Sequence, residues 1–199
     1  VHFGKGRFVN PTDLFLPFAF NAVDQEYRPG IDSLRLFYPL DDVVHLEATQ
    51  IYQKNNGSGE IAGNIIKLSL FEDHLYSEFI AIKKDKISLL GGSFVTELLS
   101  SGIWFEFSYS DLSQSHSYFQ IITGVEHLFY ENWFGTFEFY HNENGTTQVQ
   151  EYENLQETYS YKEKIQYLKG KNYISATLSH TTNPLMNSTV NLVSNLSDN

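Results

Sequence analysis

The sequence predicts an all-β fold of antiparallel strands joined up and down. Three observations carry this. From Ile31 onward polarity alternates with a period of two, the pattern of strands with one dry and one wet face. The 13 Tyr and 16 Phe sit among Ser, Thr and Gly rather than among helix formers, which is the bias of pleated sheet. Turn-forming residues interrupt the alternation at regular intervals.

Ten strands follow from that pattern. The first, Ile31 to Pro39, sets Leu34, Leu36 and Tyr38 against Ser33 and Arg35 and ends at an Asp41-Asp42 turn. The second, Val43 to Tyr52, opposes Val44, Leu46 and Ala48 to His45, Glu47 and Thr49. A loop at 53–61, with Asn55-Asn56-Gly57-Ser58-Gly59 at its heart, leads to the third, Ala62 to Phe71, with Ile66, Leu68 and Leu70 opposite Lys67 and Ser69. The fourth, His74 to Lys83, places Leu75, Phe79 and Ala81 opposite Tyr76 and Glu78. The fifth carries Ile87, Leu89 and Val95 as its apolar row, and Gly91-Gly92 in its middle predicts a bend or bulge.

In the sixth, Ile103 to Ser110, Ile103, Phe105, Phe107 and Tyr109 alternate with Trp104, Glu106 and Ser108. The seventh opposes Phe119, Ile121, Thr123 and Val125 to Gln120, Gly124 and Glu126, and the eighth, Trp133 to His141, opposes Phe137 and Phe139 to Thr136, Glu138 and Tyr140. Residues 142–171 are polar without period and too long for a hairpin connection, so they read as a long extracellular loop; its stretch from Gln150 to Lys171, alternating Glu, Tyr and Lys, either recognises a ligand or, more simply, is mobile and solvated. The ninth strand, Asn172 to His180, and the tenth, from Ser188, flank Asn183-Pro184.

Connections at 40–42, 72–73, 98–101, 131–132 and 181–187 are mostly tight, whereas three of the four between them, at 53–61, 111–116 and 142–171, are longer than the pair at 84–85. Short turns at one end and loops at the other are the signature of an outer-membrane barrel. Several segments reach the roughly 9 to 11 residues of a membrane-spanning strand. Trp133, Phe134, Phe129, Tyr130, Tyr52 and Tyr173 lie at strand ends, where interfacial girdle residues belong. The fold expected is therefore an antiparallel up-and-down transmembrane β-barrel forming one domain over residues 1–199. Glu47, Glu78, Glu106, Glu126 and Glu138 fall mid-strand on its polar face, either as an ordinary solvated surface or as the lining of a water-filled lumen.

Residues 1–30 do not alternate, and all three arginines, Arg7, Arg28 and Arg35, lie in or just beyond them. The run Gly6-Arg7-Phe8-Val9-Asn10-Pro11-Thr12-Asp13-Leu14-Phe15, followed by Arg28-Pro29-Gly30-Ile31-Asp32-Ser33-Leu34-Arg35-Leu36-Phe37-Tyr38, resembles the middle of Gram-negative outer-membrane β-barrels of the porin and alginate-export kind. The resemblance is specific over residues 4–52 and a matter of pattern beyond. It implies a channel in the bacterial outer membrane, without implying a particular solute. If Val1 to Arg7 ends an upgoing strand, the count becomes eleven, whereas single-chain bacterial barrels use even numbers, so the chain reads as an incomplete part of a larger barrel. Residues 8–30 would then be a loop on the long-loop side that can fold into the lumen, with Arg7, Arg28 and Arg35 facing Glu47 and Glu78 across the pore or pairing locally with Asp24, Glu26 or Asp32.

Other chemistry finds little support. The chain has no cysteine, so disulfides, thiolate metal sites and cysteine nucleophiles are excluded. Its 24 acidic against 13 basic residues argue against nucleic acid as a partner. Seven histidines show neither HExxH nor His-x-His spacing, no G-x-S-x-G is present, and Gly4-Lys5-Gly6 lacks the Walker spacing. Neither an enzyme nor a cofactor is expected. Three functions fit: a passive channel, surrounded by outer-membrane lipid, that passes a small solute by pore width and lumen charge; a secreted β-sandwich binding carbohydrate through exposed aromatics such as Trp104 and Trp133; and a barrel sheathing or anchoring a partner protein. Homo-oligomerisation is compatible with the barrel readings.

Overall fold

The computed structural model describes residues 4–15, 32–55, 58–113, 116–162, 166–183 and 185–197, with backbone alone over 53–55 and 58–60. Ten strands form one antiparallel sheet in sequence order: β1 (Asp32–Pro39), β2 (Val44–Asn55), β3 (Ser58–Glu72), β4 (Leu75–Lys84), β5 (Ile87–Leu98), β6 (Ser101–Leu112), β7 (Tyr118–Phe129), β8 (Trp133–Asn142), β9 (Asn172–Asn183) and β10 (Met186–Asn195). The sheet is open: among the described residues β1 pairs only with β2, and β10 only with β9. Arg7 and its neighbours from Gly4 lie outside the sheet, so the strand expected over Val1 to Arg7 is not formed there, and residues 1–3 lie outside the described residues.

The alternation is read by the sheet almost as written. Every second side chain turns to a face where Leu36, Ile66, Leu90, Phe105, Phe137 and Leu192 stay exposed, and on this face Phe79, Phe94, Phe105, Phe107 and Phe119 stack in a row with centroids 5.7 to 6.4 Å apart. Among the described residues charge appears on this face only near strand ends, at Asp32, Glu72, Lys83 and Asp111. The opposite, polar face is the covered one over the middle strands, whereas β1 and β10 are exposed on both faces.

Four local expectations are corrected. The β5 glycines make no bulge, for the pairing of β5 with β4 and β6 runs unbroken through both. They are there for clearance: a Cβ on Gly91 would lie 2.7 Å from Thr12 Cγ2, and one on Gly92 3.0 Å from the Phe107 ring. The apolar row of β5 is inverted, because Ile87 and Leu89 lie on the polar face beneath Leu14 while Leu90 and Phe94 point outward. The 53–61 loop is largely strand, with Asn55 pairing Ser58, and the irregularity falls at Ile51/Tyr52, where Ala62 is left without a partner.

The connection 143–171 is folded rather than merely solvated. It holds a 3-10 turn (Val149–Glu151) and two short helices, α1 (Tyr152–Gln156) and α2 (Tyr159–Lys162), and Thr146 bridges Gly170. Buried Asn144 donates to Ser160 Oγ (3.0 Å) and Gln166 Oε1 (2.6 Å), and the Tyr161 hydroxyl donates to the Leu168 carbonyl. Burial pushes the Tyr161 hydroxyl well above its ordinary range.

Candidate functional site

The candidate site is the polar face together with the N-terminal segment laid across it. Residues 5–15 contribute no strand, so their main-chain donors need acceptors from the surface they cover. Two glutamates supply them. Glu106 of β6 accepts from the amides of Lys5 (2.6 Å), Gly6 (3.3 Å) and Thr12 (3.0 Å) and from the Thr12 hydroxyl (2.8 Å). Glu138 of β8 accepts from the amides of Arg7 (2.7 Å) and Phe8 (2.8 Å) and from the Trp104 indole (3.3 Å). Both are sealed, at 0% and 1% exposure. Between them Gly124 of β7 leaves room for the Trp104 ring, since a Cβ there would lie 2.3 Å from Cζ2.

Beyond this centre the face divides. Toward the loop end it is dry: Leu14 packs with Ile51, Ile65, Ile80, Ile82, Ile87, Leu89, Leu112 and Tyr118. A second apolar cluster joins Phe8 to Ile122, Tyr140, Leu168 and Tyr173, so the 143–171 connection and the N-terminal segment meet over the sheet. Toward the turn end it is ionic. Arg35 and Lys67 pair with Glu47, Lys67 and Lys5 pair with Glu78, and Arg7 pairs with Glu126 (2.8 Å). Lys5 also sits over the Tyr76 ring, 4.4 Å from its centroid.

The structure thus gathers seven of the eight predicted lining residues on one face; Arg28 lies outside the described residues, as does 16–30 of the predicted 8–30 loop. The partners differ from the expected cross-pore opposition. Arg35 meets Glu47 from the neighbouring strand, Arg7 meets Glu126, and Glu78 is held by lysines. Glu106 and Glu138 are occupied by backbone and contribute nothing to a solvent-facing wall. Lys5, Lys67 and Thr12 join the site without a motif to mark them; for Lys67 the alternation is a signal, since it places Lys67 on the same side as Glu47. Of the girdle candidates, Phe129, Tyr130 and Trp133 are exposed at the turn end, whereas Tyr173 is buried against Phe8 on the polar face and Phe134 lines a cleft there with Arg7 and Phe8. Trp104, at 4% exposure, is no exposed carbohydrate platform.

No family model, curated protein or solved structure matches the chain. No helix of the described residues is long and apolar enough to cross a membrane, which leaves strands untested.

Proposed function

We propose that the chain is wall of a bacterial outer-membrane β-barrel channel that passes small solutes by width and lumen charge, without chemistry. One observation supports this above all: the continuous apolar row is left exposed, while mid-strand polar residues on the other face are buried beneath the N-terminal segment. Phe105 and Phe137 stand 38% and 48% exposed, while Glu106, Ser108 and Glu138 are at 1% or less. An uncharged apolar band between charged strand ends is what acyl chains solvate, and a strand of 10 to 12 residues, as in β4 to β10, suffices to span it. A β-sandwich would bury that band against a second sheet, and the described residues form one sheet only.

The reading carries a requirement. Unpaired strand edges are not tolerated in hydrocarbon, so β1 and β10 must be paired in the membrane. They run in opposite directions, and either pairing with each other or an even number of intervening strands satisfies antiparallel closure. The test is direct: the protein partitions into detergent, migrates faster unheated than heated on a gel, and conducts in planar bilayers. A monodisperse protein in plain buffer, with no conductance, overturns the proposal.

A further inference from the structure

The channel reading treats the polar-face glutamates as a source of field. Their geometry assigns two of them another task. We propose that Glu106 and Glu138 are positioning residues that clasp residues 5–12 onto the polar face, and that this clasp sets the width of the passage.

Seven hydrogen bonds reach the two carboxylates, from five main-chain amides, the Thr12 hydroxyl and the Trp104 indole, and none of the donors is a cation. Successive amides form the grip: Lys5 and Gly6 close on Glu106, and Arg7 and Phe8 on Glu138, the arrangement in which consecutive N–H groups hold an anion. The segment is cut to fit. Gly4 has φ +96°, and a Cβ there would sit 2.7 Å from Glu106 Oε1. Thr12 Cγ2 fills the space above Gly91, and the Gly6 position would drive a Cβ to 1.9 Å from the Val9 carbonyl. A carboxylate is the only side chain whose two oxygens both accept with no donor of its own, so Gln in either place turns an NH2 toward a main-chain N–H.

The conductance part of this proposal rests on the channel reading; the clasp itself does not. The test uses the whole protein in detergent and in planar bilayers. Trypsin cuts after Lys5 and Arg7, so cleavage there reports release of the segment. The Glu106→Gln/Glu138→Gln double variant is cut roughly tenfold faster or more than the native protein and shows a larger single-channel conductance, with heat-modifiable mobility unchanged. Gly4→Val, which disturbs the segment and leaves the sheet alone, does the same. Unchanged cleavage in the double variant and in Gly4→Val refutes the clasp. Faster cleavage with unchanged conductance refutes its control of width, and faster cleavage with no conductance in any variant keeps the clasp and removes the channel.

Discussion

Replacing Phe137 by lysine asks the outward face what solvent it meets. Phe137 lies midway along β8, between Val125 and Ala176 of the neighbouring strands, and is 48% exposed. Fully burying a Phe side chain is worth about 1.5–3 kcal/mol, so losing the covered half costs about 0.8–1.6 kcal/mol whatever lies outside. If acyl chains lie outside, a lysine near the bilayer midplane adds about 2–4 kcal/mol, and the total reaches about 3–6 kcal/mol. Tyr130, 86% exposed in the β7–β8 turn, is the control, and Tyr130→Lys is expected to cost almost nothing. Urea unfolding in lipid vesicles measures both. A loss of less than about 1.6 kcal/mol for Phe137→Lys would place that face in water and end the membrane reading.

Three further outcomes follow from local geometry. Gly124→Val drives the Trp104 ring off its seat, where a Cβ would lie only 2.3 Å from Cζ2, and breaks its bond to Glu138; the expected cost is about 1–3 kcal/mol, with a red shift of Trp104 emission in a Trp133→Phe background. Asn144→Ala removes the bonds to Ser160 and Gln166, costs about 1–3 kcal/mol locally, and exposes the stretch from Thr147 to Lys162 to limited proteolysis while the strands stay protected. Tyr161 ionises above its ordinary value of 10 because it is buried, so its contribution to stability is complete below pH 10 and lost as pH rises beyond it; Tyr161→Phe is expected to flatten the alkaline limb of the unfolding curve.

What was legible in the sequence was whatever obeys the period of two. Phe105 and Phe107 against Glu106 and Ser108 fixed both the strand and its sidedness, because a slip of one residue would exchange the faces. The failures share one cause. Ile87 and Leu89 suggest the outer row because they are apolar, but their phase puts them beside Gly91 and Ser93, and only the approach of Leu14 makes that position dry. Gly91 read as a bulge for the same reason: a glycine in a strand signals either a kink or a close neighbour, and the neighbour, Thr12, is far away in sequence. Tyr173 lay at a strand end, and nothing local showed that Phe8 would cover it. Alternation announces which face a residue takes; it is silent about what a non-periodic segment does to that face.

On the proposed channel reading, the same covering decides how strongly a passage would select by charge. The sequence offers five mid-strand glutamates, an apparently anionic wall. Glu106 and Glu138 are consumed by amides behind the N-terminal segment, and the remaining three, Glu47, Glu78 and Glu126, are bound by four cations, Arg35, Lys67, Lys5 and Arg7. Three charges against four leave the ionic zone almost neutral, and opposite charges about 3 Å apart cancel within a Debye length of about 8 Å at physiological salt. For such a channel the expected reversal potential under a salt gradient is therefore close to zero, with selection by width rather than by charge. Glu47→Gln frees Arg35 and part of Lys67 from their shared partner and moves the potential toward anion selectivity, more so at low salt. Strong cation selectivity in the native protein would mean that these pairs separate in the open channel, and that the chain's charge of -11 reaches the lumen after all.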